Sequence, residues 1–383
     1  MRKICVVITA RPSYSRIKTA LKAIKEHPDL ELQLVVTASA LLGKYGRAID
    51  YIQSDGFPIT ARIHSVVEGE NLVTAAKTAG LSLTELPTIF DFLKPDVIVT
   101  IGDRFETMAT AASASIMQIP LVHIQGGEIT GNIDDKIRHA VSKLADLHFV
   151  STFEAQSRLI RMGEEPEKIF VTGCPSIDIA AQVILNPGLD FDPYEKYGGV
   201  GEKRSTDNPY LVVMQHPVTT EHQYARQQIE TTLETICALG IPAFWFWPNP
   251  DAGSGDTSKG IRSFRELNTK TPIHYFKNMD SVDFLKLVKN SLCLVGNSSA
   301  GIRECSFLGV PVVNIGNRQR GRARGPNVID VEHCSSMISK AIQKQIHHGH
   351  YQSENIYGEG DAGARIANIL ATVGLTYTKT LTY

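Results

Sequence analysis

Val295-Gly-Asn-Ser-Ser-Ala-Gly-Ile-Arg-Glu304 grows out of an apolar run at 292–295 that reads as a buried strand. Small polar residues follow, and Ile302, Cys305, Phe307 and Leu308 then fall at helical spacing, with Glu304 in the first or second turn. Strand, small-residue turn and helix in that order make the repeating unit of a parallel α/β sheet. The small residues let a phosphate come close to the backbone, and the first helical turn offers unbonded N–H groups and a positive dipole end. Arg318, Arg320, Arg322 and Arg324 follow the next apolar run, 310–315, and supply guanidiniums suited to an oxyanion. The same residues also fit an ordinary βα turn with a solvated basic loop, so both readings stand at this point.

The alternation extends in both directions. Residues 3–9 form a near-continuous β-branched run, as in a parallel strand covered on both faces. A loop is expected at 11–15, with Ser13 or Ser15 capping the next helix, whose buried stripe is Ile17, Leu21 and Ile24. Further strands are expected at 32–36, 58–63, 97–101, 121–124, 147–150 and 169–172. Helices are expected between them, the longest over 71–93. A second alternation starts at 210–214 and continues through 241–247, 273–276, 292–295 and 310–315. Between the two, 186–208 is rich in Gly, Pro and polar residues and reads as a linker with an exposed loop. The fold class expected is α/β, with two Rossmann-like doubly wound domains facing a cleft. Ligands in such sheets sit beyond the carboxyl ends of the strands.

At 383 residues the chain is long enough for two domains. Its 39 basic and 40 acidic residues give a formal charge of −1, which argues against a broad nucleic-acid surface. The six cysteines are scattered without a C-x-x-C pair and read as reduced and mostly structural. Arg11, Arg16 and Lys18 interrupt anything resembling a signal peptide, and no apolar run is long enough for a membrane helix. A cytoplasmic protein without a membrane partner is expected.

The polar residues at strand ends carry the chemistry. Asp103 and Arg104 follow the strand at 97–101, where a helix cap with a surface ion pair is the ordinary alternative. Glu128, Asp134 and Asp135 share one loop–helix segment. Carboxylates gathered in a partly dry cleft exchange protons, although Asp134 and Asp135 also complement a helix dipole. His216 follows an apolar strand in a turn fixed by Pro217, where an imidazole can move a proton or meet a phosphate oxygen. The segment from Pro248 to Ser254 repeats the design of strand end, tight turn and polar side chains. Phe244, Trp245 and Trp247 read as core. The histidines lack zinc-type spacing, and no Walker loop, G-x-G-x-x-G or G-x-S-x-G is present.

Taken together, nine segments resemble the UDP-N-acetylglucosamine 2-epimerase family, and its hydrolysing branch in particular. They are Arg11-x-x-Tyr14-Ser15, Gly102-Asp-Arg-Phe105, His123-Ile-x-Gly-Gly-Glu128, Ile133-Asp-Asp-x-Ile-Arg-His139, Gln215-His-Pro-Val-Thr-Thr220, Pro248-Asn-x-Asp-Ala-Gly-Ser254, Gly296-Asn-Ser-Ser-x-Gly-x-Arg-Glu304, Arg318-Gln-x-Gly-Arg322 and Ile356-Tyr-Gly-x-Gly360. The resemblance implies a glycosyltransferase-B-like architecture. Residues 1–175 would form an N-terminal domain with the sugar-side and proton-handling loops, and 176–360 a UDP-binding domain. Residues 361–383 would form a helix packing back on the first domain. It implies a UDP-sugar substrate, no cofactor, no metal, and a homodimer or homotetramer.

By the same resemblance, Asp103, Glu128, Asp134 and His216 would be catalytic. Arg11, Ser298, Ser299, Gly301, Glu304 and Arg318 would bind UDP, Glu304 through the ribose hydroxyls. Arg104, Asn249 and Asp251 would position the sugar. The implied reaction releases N-acetylmannosamine and UDP from UDP-N-acetylglucosamine through a glycal-like intermediate, as in sialic-acid-type pathways. The chain departs from some hydrolysing relatives at Ser13 and Gln125, where they carry acidic residues, and near Ala40, where they carry a histidine. Neutral Gln125 is no acid or base, which leaves a UDP-2,4-diacetamido-trideoxy sugar of the legionaminic-acid route as an alternative substrate. A non-hydrolysing epimerase, a glycosyltransferase on the same fold and a catalytically silent sugar-nucleotide sensor are the competing readings.

Overall fold

A computed structural model describes residues 1–43, 47–69, 71–130, 133–248 and 253–382. The chain divides into two compact units. The first comprises Met1–Ile129, Ile133–Asp178 and the chain from Tyr357 onward; the second comprises Ile179–Ile356 together with Thr130.

The first unit is built on strands β1 (Arg2–Ile8), β2 (Leu30–Thr37), β3 (Ala61–Ile63), β4 (Val97–Ile101), β5 (Leu121–Ile124), β6 (Leu147–Val150) and β7 (Ile169–Val171). Their order is β3-β2-β1-β4-β5-β6-β7, and every pairing is parallel. Ile4, Val6 and Ile8 enter the core on one face, while Cys5 and Val7 enter the core on the other. Burial on both faces explains why β1 reads as an unbroken apolar run. The strand order reverses between β1 and β4, so the loops after these two strands flank a topological switch point.

The second unit repeats the plan with β8 (Val200–Gly201), β9 (Leu211–Met214), β10 (Ala243–Phe246), β11 (Ile273–Phe276), β12 (Cys293–Gly296), β13 (Val312–Ile315) and β14 (Val328–Val331). The order is β14-β13-β12-β9-β10-β11-β8, with only β8 antiparallel to its neighbour. Its switch point lies between β9 and β12, where Gly296 pairs with Met214. Gly296 has φ +131°, and a Cβ there would stand 2.2 Å from the Met214 carbonyl oxygen, so only glycine fits. Phe244 and Trp245 are core residues, as their sequence setting suggests.

Three local expectations are corrected. The segment at 11–15 is helical: the helix is Arg11–Glu26, its N-cap is Ala10, and neither Ser13 nor Ser15 caps it. Pro12 sits in the first turn, where its missing N–H costs nothing. The stretch 186–208 is more than a loop, since it contains the helix Pro193–Tyr197 and strand β8. Asp192 caps that helix by accepting from the N–H groups of Tyr194 (2.6 Å) and Glu195 (3.1 Å). The helix after β12 is broken in two, Ser299–Ile302 and Glu304–Leu308, so Glu304 opens the second piece.

The chain returns to the first unit through the helix Ala362–Thr372, which lays Ile366, Ala367 and Leu370 into the core shared with β1 and the helix Arg11–Glu26. Asp178 receives it: Oδ1 accepts from Ala362 N–H (2.9 Å), and Oδ2 from Gly363 N–H and the Thr19 hydroxyl (both 2.7 Å). A carboxylate at a helix N-terminus satisfies open donors and complements the dipole. Beyond the helix, Lys379 donates to the carbonyls of Ser142 (3.0 Å) and Ala145 (2.5 Å) and pairs with Glu164.

Glu164 is buried and also takes Lys143 (2.6 Å) and His148 Nε2 (2.8 Å). Burial alone would raise its carboxyl, but hydrogen bonds from His148, Lys143 and Lys379 outweigh burial and bring it down from 4.5 to about 2. A carboxyl depressed in the folded state contributes stability that is complete above its unfolded value and vanishes as pH falls through the folded one. Urea unfolding of the wild type should therefore show a loss of stability between pH 4.5 and about 2 that is reduced in Glu164→Gln. Equal pH profiles for the two proteins would contradict this assignment.

Candidate functional site

In the first unit the candidate groups stand at the ends of β1, β4 and β5 and at the start of the helix Ile133–Leu144. That helix carries Asp134 and Asp135 in its first turn, where carboxylates meet the positive dipole end. Arg138, one turn further on, was not singled out from the sequence, yet it organises the cluster. It is 1% exposed. Its guanidinium donates to a carboxylate oxygen of Asp103, to Asp135 Oδ1 (2.5 Å) and to the Glu128 carbonyl (2.8 Å). Burial works against its charge, but Asp103, Glu128 and Asp135 outweigh burial and raise its pKa. The Asp103 turn, the Glu128 loop and the Asp134 helix thus meet on one cation.

Around this cluster, Arg104 spans both oxygens of buried Glu106, at 3.1 and 3.2 Å. Arg11 begins its helix and is pushed down to about 10 by burial, which the Tyr51 charge opposes; it remains cationic at neutral pH. Gln125 is buried in a left-handed conformation, φ +64°, and its amide reaches Cys174 Sγ at 3.0 Å. Such a backbone costs a non-glycine residue about 1–3 kcal/mol and persists only where its surroundings impose it. Asn249 and Asp251, expected to position the sugar, lie outside the described residues.

In the second unit the organiser is Asn297, also not singled out. It is buried directly after β12 and exchanges two hydrogen bonds with the backbone of His216. The His216 N–H donates to Oδ1 at 2.7 Å, and Nδ2 donates to the His216 carbonyl at 2.8 Å. The Asn297 carbonyl accepts from Gln319 Nε2 (2.9 Å) and Arg318 Nη1 (3.3 Å). His216, Ser298 and Arg318 are therefore brought together by one side chain and its own peptide. Ser298 caps the helix Ser299–Ile302, its oxygen accepting from Ala300 N–H at 3.3 Å. Gly301 faces the sheet: a Cβ there would stand 2.9 Å from Val312 Cγ1, and its N–H is bonded to the Ser298 carbonyl at 3.1 Å. Glu304 Oε2 is buried and accepts no hydrogen bond.

The four arginines after β13 stand in different surroundings. Arg320 is exposed, and Arg324 pairs with Asp330 and donates to the Gln319 carbonyl. Among the described residues no group of three His, Cys, Asp or Glu could hold a metal ion, and no helix is long and apolar enough to cross a membrane.

Two doubly wound, predominantly parallel sheets in one chain, with polar clusters beyond the ends of their strands, define a glycosyltransferase-B-like α/β protein. The sequence profile of the family described as UDP-N-acetylglucosamine 2-epimerase matches residues 22–371. A Legionella pneumophila protein, UDP-N,N'-diacetylbacillosamine 2-epimerase (hydrolyzing), is 31% identical over 98% of this chain and 97% of its own. A Neisseria meningitidis UDP-N-acetylglucosamine 2-epimerase is 30% identical over 94% of this chain and 92% of its own. The fold is shared with Methanocaldococcus jannaschii UDP-GlcNAc 2-epimerase, solved with UDP-GlcNAc and UDP. That structure has a TM-score of 0.77 and 20% identity, covering 96% of this chain and 99% of that one. The chain belongs to the UDP-N-acetylglucosamine 2-epimerase family.

Replacing Arg138 by Met removes a counter-charge from two carboxylates that are 13% and 19% exposed. Breaking a buried pair from one side is expected to cost about 3 kcal/mol in urea unfolding. A loss below about 1 kcal/mol would mean that these ion pairs contribute little.

Proposed function

We propose that the protein is a hydrolysing UDP-sugar 2-epimerase acting on a UDP-2-acetamido sugar, with UDP-N-acetylglucosamine the first substrate to test. The observation that carries this reading is the gathering of Asp103, Asp135 and the Glu128 loop on Arg138, with Asp134 at the start of the same helix. Inverting a carbon needs proton transfer on two faces of the sugar, and a cluster of carboxylates suits that task. In the reaction, a carboxylate takes the C2 proton while the C1–O bond breaks and its electron pair leaves with UDP. The product is a glycal-like alkene. A proton then returns to C2 from the opposite face, and water adds to C1, giving the free 2-epimer.

Arg318, the Ser298 hydroxyl and His216 would meet the diphosphate, Arg11 adding charge, so that negative charge growing on the leaving group is neutralised. Ser299 would bring backbone close to it, whereas Gly301, expected from the sequence to do the same, faces the sheet and lets its helix pack close to β13. Glu304, whose Oε2 accepts no hydrogen bond in the protein, would accept from the ribose hydroxyls. Arg104 would position the sugar, with Asn249 and Asp251 assigned the same role from their motif. The hydrolysing outcome draws support from the printed name of the Legionella relative. That name and the neutral Gln125 favour a second substrate, the UDP-2,4-diacetamido-trideoxy sugar.

Incubation with UDP-N-acetylglucosamine in deuterium oxide, followed by NMR, tests the reading. Free N-acetylmannosamine deuterated at C2 is expected, and UDP release without C2 exchange would sink the elimination mechanism. Turnover only with the 2,4-diacetamido analogue would move the substrate to that sugar. Asp103→Asn, which removes a proton handler, and His216→Ala, which removes a group meeting the diphosphate, should each lower kcat by at least about 10²-fold while remaining folded.

A further inference from the structure

His123, the third residue of β5, is fully buried between two partners. Its Nε2 lies 2.8 Å from the Gly102 carbonyl oxygen, and its Nδ1 lies 3.0 Å from the Ser142 hydroxyl. A carbonyl only accepts, so Nε2 carries the hydrogen. Burial pushes the ring down to about 3, the Gly102 bond opposing, so the imidazole is neutral. Nδ1 is then bare and accepts from Ser142 Oγ–H.

Gly102 is the residue before Asp103 and holds a left-handed φ of +81°. Ser142 lies one turn beyond Arg138 on the helix Ile133–Leu144, so the two side chains emerge from the same face. Asp103 is consequently tied to that helix twice, by its carboxylate through Arg138 and by its backbone through Gly102, His123 and Ser142. The loop leading to Glu128 also rests on the pair. A Cβ on Gly126 would stand 2.8 Å from both His123 Nδ1 and Ser142 Oγ.

We infer that His123 is a positioning residue of the epimerase reaction, a neutral imidazole that fixes the Asp103 turn relative to the helix carrying Asp134. The inference rests on the reading of Asp103 as a proton handler. A carboxylate displaced by about 1 Å can lose on the order of 10²-fold in rate with little change in binding. A histidine that merely filled space would affect stability first.

Asparagine and glutamine at position 123 separate these roles. The asparagine amide reaches only as far as Nδ1 and keeps the Ser142 contact. The glutamine amide reaches as far as Nε2 and can donate to Gly102. With UDP-N-acetylglucosamine, or its 2,4-diacetamido analogue if that is the one turned over, His123→Asn should lower kcat on the order of 10²-fold and change KM by less than about threefold. His123→Gln should remain within about tenfold of wild type, although both variants melt at similar temperatures. Equal losses in the two variants, losses that follow the melting temperature, or a loss expressed in KM would each overturn the inference.

The wild-type protein gives an independent reading through ¹⁵N-histidine NMR at neutral pH. A protonated Nε2 and a bare Nδ1 are expected for His123, and the opposite tautomer or an imidazolium would overturn the inference without any variant. Asp103→Asn belongs in the same assay. Wild-type turnover in Asp103→Asn would remove the assigned chemistry and this inference with it. An inactive Asp103→Asn beside a fully active His123→Asn would overturn this inference alone.

Discussion

A guanidinium withdrawn from water must find its hydration replaced, and Arg138 finds it in oxygens from three separate segments. The Asp103 turn follows β4, the Glu128 loop follows β5, and Asp135 lies on the same helix as Arg138. Moving any of the three away would take an oxygen from a buried guanidinium. The sheet brings the strand ends near one another; the cation sets the final ångström. Rigid support of this kind is what reacting groups need when their geometry decides the rate.

The second unit solves a similar problem without charge. Asn297 presents an acceptor and a donor to one peptide, that of His216, and its own carbonyl collects Arg318 and Gln319. The close approach of β12 to β9 at Gly296 makes this exchange possible. An amide can hold a loop through two directional bonds without placing a charge beside it. The two units thus use different chemistry, an ion cluster beyond β4 and β5 in one and an amide between β9 and β12 in the other.

Much of the architecture was legible because it rests on burial. The apolar runs of β1 and β9, and that of β4 with its single Thr100, announce strands covered on both faces, and the helices between them leave few alternatives to doubly wound sheets. Local signals at segment ends were less decisive. Serines at 13 and 15 look like caps, but Pro12 suits a first turn and the helix starts earlier. Asp192-Pro193 is a helix start hidden among turn residues. The strand-end position of Asp103 and His216 could be read from pattern, whereas their supports could not. Arg138 and Asp103 are 35 residues apart, and Asn297 and His216 are 81 apart. Such pairings depend on which strands become neighbours, and periodicity carries no record of that. Arg324 shows the converse: a basic residue in a promising run is neutralised by Asp330, on the strand that follows.

The C-terminal return has a consequence for how the protein is made. Ile366, Ala367 and Leu370 belong to the first unit's core, and Lys379 joins Glu164 beneath it, yet all are synthesised after Ile179–Ile356. While the second unit leaves the ribosome, the first must wait with an apolar face uncovered and Asp178 without the two N–H groups it later receives. The order of maturation therefore runs against the order of translation, and the unit begun first is the one completed last.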